Sequence, residues 1–86
     1  MSEKKLPKAK LDWLIVACTA FYSASCESKR ERALKEMSRA TREFCDYPSV
    51  RPYALQDLIT GMVRLKPDAT KEDVYKVLEV LGWTVE

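Results

Sequence analysis

Residues 11–44 read LDWLIVACTAFYSASCESKRERALKEMSRATREF and contain neither glycine nor proline. Whether this stretch makes one helix or two decides the shape of the fold. Its middle, Ser23-Ala24-Ser25-Cys26-Glu27-Ser28, is poor in strong helix formers, because short polar side chains compete with the helix for backbone hydrogen bonds. Just beyond, Ser28-Lys29-Arg30-Glu31 has the spacing of a capping box, in which a hydroxyl and a carboxylate satisfy free amides at a helix start. The reading is two helices with a tight junction near residues 24–28.

In the first, taken as Asp12 to Ala24, a rotation of about 100° per residue puts Leu14, Cys18, Phe21 and Tyr22 on a bulky stripe. Ala17, Ala20 and Ala24, beside Trp13, form a second stripe of small residues. A helix apolar on two sides either sits in the middle of its fold or lends one side to another chain. In a chain of 86 residues the second outcome is expected, so Trp13, Ala17, Ala20 and Ala24 are candidate residues for self-association as a homodimer or for docking a protein partner.

The second helix, Lys29 to Cys45, carries Leu34, Met37, Thr41 and Phe44 on one face and Arg32, Lys35, Arg39 and Arg42 on the other, both at steps of three and four. Pairs at i,i+4, namely Glu31–Lys35, Arg32–Glu36 and Arg39–Glu43, would each add about 0.3 kcal/mol to the exposed side. The basic stripe suits an acidic partner surface or a phosphate backbone, where it would steer and orient more than bind.

Working outward, Asp46-Tyr47-Pro48-Ser49-Val50-Arg51-Pro52 is a linker, since its prolines remove donors and push the preceding residues out of helical geometry. Pro52 also suits the first position of a third helix, with Leu55, Leu58, Ile59 and Met62 as its apolar face and Pro67 beyond its end. Thr70 and Asp73 make a variant capping box for a fourth helix faced by Val74, Val77, Leu78 and Leu81 and stopped by Gly82, after which Trp83-Thr84-Val85 is extended. Residues 1–10, with Lys4, Lys5, Lys8 and Lys10 around Pro7, read as a flexible basic tail. The fold class is all-α: a small four-helix domain over residues 11–86.

Chemistry is narrowed mainly by what the composition lacks. There is no histidine, which removes the common acid–base and triad arrangements. Two glycines make no phosphate-cradling loop, and Cys18, Cys26 and Cys45 fit neither a metal knuckle nor a complete disulfide framework. No enzyme activity, cofactor or metal is expected. The apolar run Trp13–Tyr22 follows lysines as a signal peptide would, but no small-residue cleavage site follows it, and no stretch is apolar for the ~18 residues of a membrane span. A cytoplasmic protein away from membranes is the expectation. The net charge is +2, with ten cations and seven anions in residues 1–47, so any attraction to an acidic surface belongs to the front half.

From Pro52 to Val85 the order of helix, short turn, helix and extended segment resembles a helix-turn-helix or a truncated winged helix in outline. That resemblance implies a second helix in the major groove, with Lys71, Tyr75 and Lys76 near base edges. Glu72 and Glu79 on the same helix would face phosphate repulsion, and arginine, the best reader of guanine, is absent from it. The expected function is therefore that of a small regulatory, inhibitory or adaptor protein acting by protein binding, with a DNA-binding regulator as the alternative.

Overall fold

The computed structural model describes residues 5–47 and 50–86, and the elements run β1 (Lys5–Leu6), α1 (Lys8–Ser23), α2 (Glu27–Arg42), α3 (Pro52–Leu65), α4 (Lys71–Val80) and β2 (Thr84–Val85). Lys4 of the expected tail and Pro48-Ser49 of the expected linker lie outside the described residues. The architecture is all-α, with four helices and one tiny two-stranded sheet among the described residues.

The Gly- and Pro-free stretch does break in two. Ala24 (ψ 128°) and Cys26 (φ −145°, ψ 164°) are extended, and this reversal sends α2 back along α1. The capping box expected at Ser28 and Glu31 does not form. Cys26 stands at the N-cap two residues earlier, without a side-chain cap bond, so helical geometry already covers Ser28.

Inward positions on α2 are Ala33, Met37, Ala40 and Thr41, with Phe44 buried in the turn just past the helix, which corrects the expected place of Leu34: it is 46% exposed. The small Ala33 and Ala40 let the α1 and α2 backbones approach where leucine would hold them apart. Buried Thr41 is satisfied, its hydroxyl lying 2.7 Å from the Met37 carbonyl oxygen and 2.8 Å from Gln56 Oε1 on α3.

Helix α3 starts with Pro52 at its first turn and buries Leu55, Ile59 and Val63, with Leu58 and Met62 packed at the edge of the core. On α4 the Thr70–Asp73 capping box closes in both directions: the Asp73 amide donates to Thr70 Oγ1 (3.3 Å) and the Thr70 amide to Asp73 Oδ2 (3.0 Å). Val74 and Leu78 are buried, whereas Val77 and Leu81 stay exposed. Gly82 has φ +98°, a left-handed turn that favours glycine and swings the chain into β2.

The expected basic tail needs correction from residue 5 onward. Leu6 is fully buried, and β1 pairs in parallel with β2, Lys5 opposite Thr84 and Leu6 opposite Val85. The Glu86 amide donates to the Leu6 carbonyl (3.0 Å), the Lys8 amide to the Glu86 carbonyl (3.0 Å), and Lys5 Nζ lies 3.5 Å from the Glu86 carboxylate. One apolar side chain and three polar links thus hold a segment whose lysines suggested fraying. Leu6 joins Leu11, Leu14, Phe44, Ile59 and Leu78 in a single core cluster.

Leu6→Ala is expected to cost about 2–4 kcal/mol in urea unfolding, as for a buried leucine, while Leu65→Ala, at a 90% exposed position, stays within about 0.5 kcal/mol. A Leu6→Ala loss as small as that of the control would return this segment to a tail.

Candidate functional site

Helices α1 and α2 pack along their length, and a groove of about 570 Å³ runs beside their seam. Its α1 wall is built from Trp13, Val16, Ala17 and Ala20, with Ala24 just past the helix end, and its α2 wall from Lys29, Arg32, Ala33 and Glu36. All four residues of the small stripe read from the sequence therefore line one concave surface. The spacing explains this for Trp13, Ala17 and Ala20, which follow the i, i+4, i+7 seam of one helix face, while Ala24 joins them from the extended residue just past α1.

Exposure within the groove is uneven. Trp13 (36% exposed) and Val16 (52%) offer apolar surface to solvent, whereas Ala17 is 4% exposed and belongs to the floor. Ala17 is thus corrected from an open contact residue to a core residue whose size sets the groove's depth. Val16 and Ala20 also border a second groove, of about 400 Å³, between α1 and Ala69, Thr70 and Lys71. They form a ridge with a hollow on either side.

Of the basic stripe, Arg32 lines the groove, while Lys35, Arg39 and Arg42 are exposed on α2 outside it. Lys29 and Glu36, which sequence reasoning did not single out as site residues, also line it. Their signal was there: they stand three residues before and four residues after Arg32. None of the three i,i+4 ion pairs expected on α2 is among those formed by the described residues. Glu43 instead meets Lys10 of α1 at 3.6 Å, and the same ammonium sits 5.2 Å from the centre of the Tyr47 ring. Hydrogen bonding to Tyr47 and the charge of Glu43 raise the Lys10 pKa.

The α4 residues of the DNA-reading alternative are not brought together on one open face. Lys71 and Lys76 are exposed, but Tyr75 packs against the core and its hydroxyl donates to the Asp12 carboxylate of α1, with Lys8 Nζ 5.9 Å from its ring centre. The residue expected near base edges is an interhelical latch. Its ring follows Val74 on the inward side, where an amphipathic side chain can bury carbon and keep its oxygen bonded. Desolvation, aided by the Asp12 bond and charge, pushes the Tyr75 phenol up to about 12.

The cysteines divide by position. Cys18 is buried in the core and desolvation pushes its thiol up to about 12. Cys26 and Cys45 are exposed, and the backbone N–H of Lys29 holds the Cys26 thiol below its ordinary range. Among the described residues no group of three His, Cys, Asp or Glu side chains is placed to hold a metal ion, and no helix is long and apolar enough to cross a membrane. No protein-family model, curated protein or solved structure matches this chain.

Two outcomes check this local chemistry. Alkylation of the native protein is expected at Cys26 and Cys45 by peptide mass mapping, with Cys18 labelled only in denaturant; labelling of native Cys18 would contradict its burial. Tyr75→Phe should abolish a tyrosine ionisation near pH 12 in an absorbance titration and lower stability by about 1 kcal/mol. Because folding raises this pKa from 10.0 to about 12, the tyrosine's stabilising share is whole below pH 10.0 and disappears as pH climbs through about 12.

Proposed function

We propose that this chain is a non-enzymatic regulatory, inhibitory or adaptor protein that receives a protein partner in the α1–α2 groove. The observation that carries this reading is the groove itself: exposed Trp13 and Val16 over a floor of small residues, with cations along one wall. Docking sites combine an aromatic anchor, a concave apolar surface and a charged rim in this way. The remaining cations, Lys35, Arg39 and Arg42, add a field that would speed the approach of an acidic partner. A chain without histidine also lacks the commonest general base.

The DNA-regulator alternative draws less support. With Tyr75 engaged by Asp12, the α4 surface would present Lys71 and Lys76 beside Glu72 and Glu79, a mixed set with little attraction for phosphate. Three free thiols fit a reducing, cytoplasmic setting.

Selection of displayed peptides on the folded chain tests the reading. The expected binders shift amide resonances in residues 13–24 and 29–36, and lose about tenfold or more in affinity when Ala20→Trp fills the groove. Binders that map to α3 and α4, or that ignore Ala20→Trp, would reject the groove as the working surface. Labelled duplex DNA is expected to show no saturable binding even near ~50 mM salt.

A further inference from the structure

The two walls of the groove differ in charge. From Trp13 to Ser25 the α1 side carries no charged residue. The α2 side carries Lys29 and Arg32 toward the Ala24 end and Glu36 toward the Trp13 end, where the antiparallel course of the helices puts it. The Lys29 end is also the start of α2, whose first amides add partial positive charge.

Size and shape narrow the occupant further. The α1 wall from Trp13 to Ala24 rises about 16 Å, or three helical turns. Its small residues, Ala17 and Ala33 on the floor and Ala20 on the ridge, permit the close backbone approach by which helices seat against one another. A second copy of this chain fits less well. A two-fold contact through the groove would set each Lys29–Arg32 end against its own like or against the Glu36 end of the other copy, where one carboxylate meets two cations.

Resting on the groove reading above, we infer that the occupant is an amphipathic helix of a partner protein, its apolar face on Trp13, Val16 and Ala20 and its acidic flank toward Lys29 and Arg32. Carboxylates meet the Ala24 end, and the largest apolar side chain meets Trp13. The cationic wall sets which helices are accepted and in which direction, while the apolar floor supplies the contact area.

The probes are synthetic helical peptides of about 14 residues with leucines at i, i+3 or i+4, and i+7, bearing either glutamates or lysines along one flank. They are titrated into the isotope-labelled full chain at low and high salt. The glutamate peptide is expected to shift resonances of residues 13–24, to bind about tenfold or more tightly than the lysine peptide, and to weaken as salt rises. Reversing Lys29→Glu together with Arg32→Glu, both at exposed positions, should invert that preference with the circular dichroism of the fold unchanged.

Equal affinity for both peptides, lost in both on Ala20→Trp, would overturn the acidic flank and leave the groove reading standing. If neither peptide moves groove resonances while displayed peptides do, the inference fails alone; if no peptide of any kind does so, both readings fail. Dimerisation in light scattering that Ala20→Trp abolishes would make the occupant a second copy and overturn the inference.

Discussion

Helix α1 has to be covered on more than one side, and the arrangement of every other element answers that requirement. Leu11, Leu14, Ile15 and Cys18 turn into the common core, Ala17 faces the α2 seam, and Asp12 takes the hydroxyl of Tyr75 from α4. An 86-residue chain has few elements with which to meet this demand, so α1 is packed against α2 and α3 and latched to α4. Covering α1 is also what leaves a gap. The helices meet at small residues, and Trp13 and Val16 lie at the edge of the seam, partly exposed.

Local signals in the sequence were read correctly where a single physical cause dominates. The break at residues 24–26, Pro52 at the head of α3 and the Thr70–Asp73 box each depend on backbone hydrogen bonding within a few residues. Competing local signals were harder. A capping box at Ser28 and Glu31 matched by spacing, yet the helix begins earlier because nothing at Glu27 resists helical geometry. The choice of Ala33 over Leu34 as an inward residue follows from how closely α1 approaches, a tertiary fact with no local trace. Leu6 is the clearest case: its burial depends on residues nearly eighty positions away, and its lysine neighbours masked the one apolar side chain that mattered.

The candidate site was legible to a similar degree and for related reasons. Periodicity alone put Trp13, Ala17, Ala20 and Ala24 on one stripe, because a helix face is a property of spacing. The opposing wall could not be read the same way. Which residues of α2 face that stripe depends on the direction in which the junction returns the chain, and this made Lys29 and Glu36 partners of Arg32 in the groove. Tyr75 carried an ambiguous signal: an aromatic with a hydroxyl suits a groove of DNA or a polar contact inside the fold, and in the structure its hydroxyl meets the carboxylate of Asp12.

The parallel pairing of β1 with β2 joins the two ends of the described chain across all four helices. Tension applied through the two flanking backbones would pull these strands past each other along their axes. The links among Lys5, Leu6, Lys8 and Glu86 would then carry the load together, in shear, instead of parting one after another as in a zipper. A fold assembled almost wholly from helices thus owes its resistance to stretching to its smallest element.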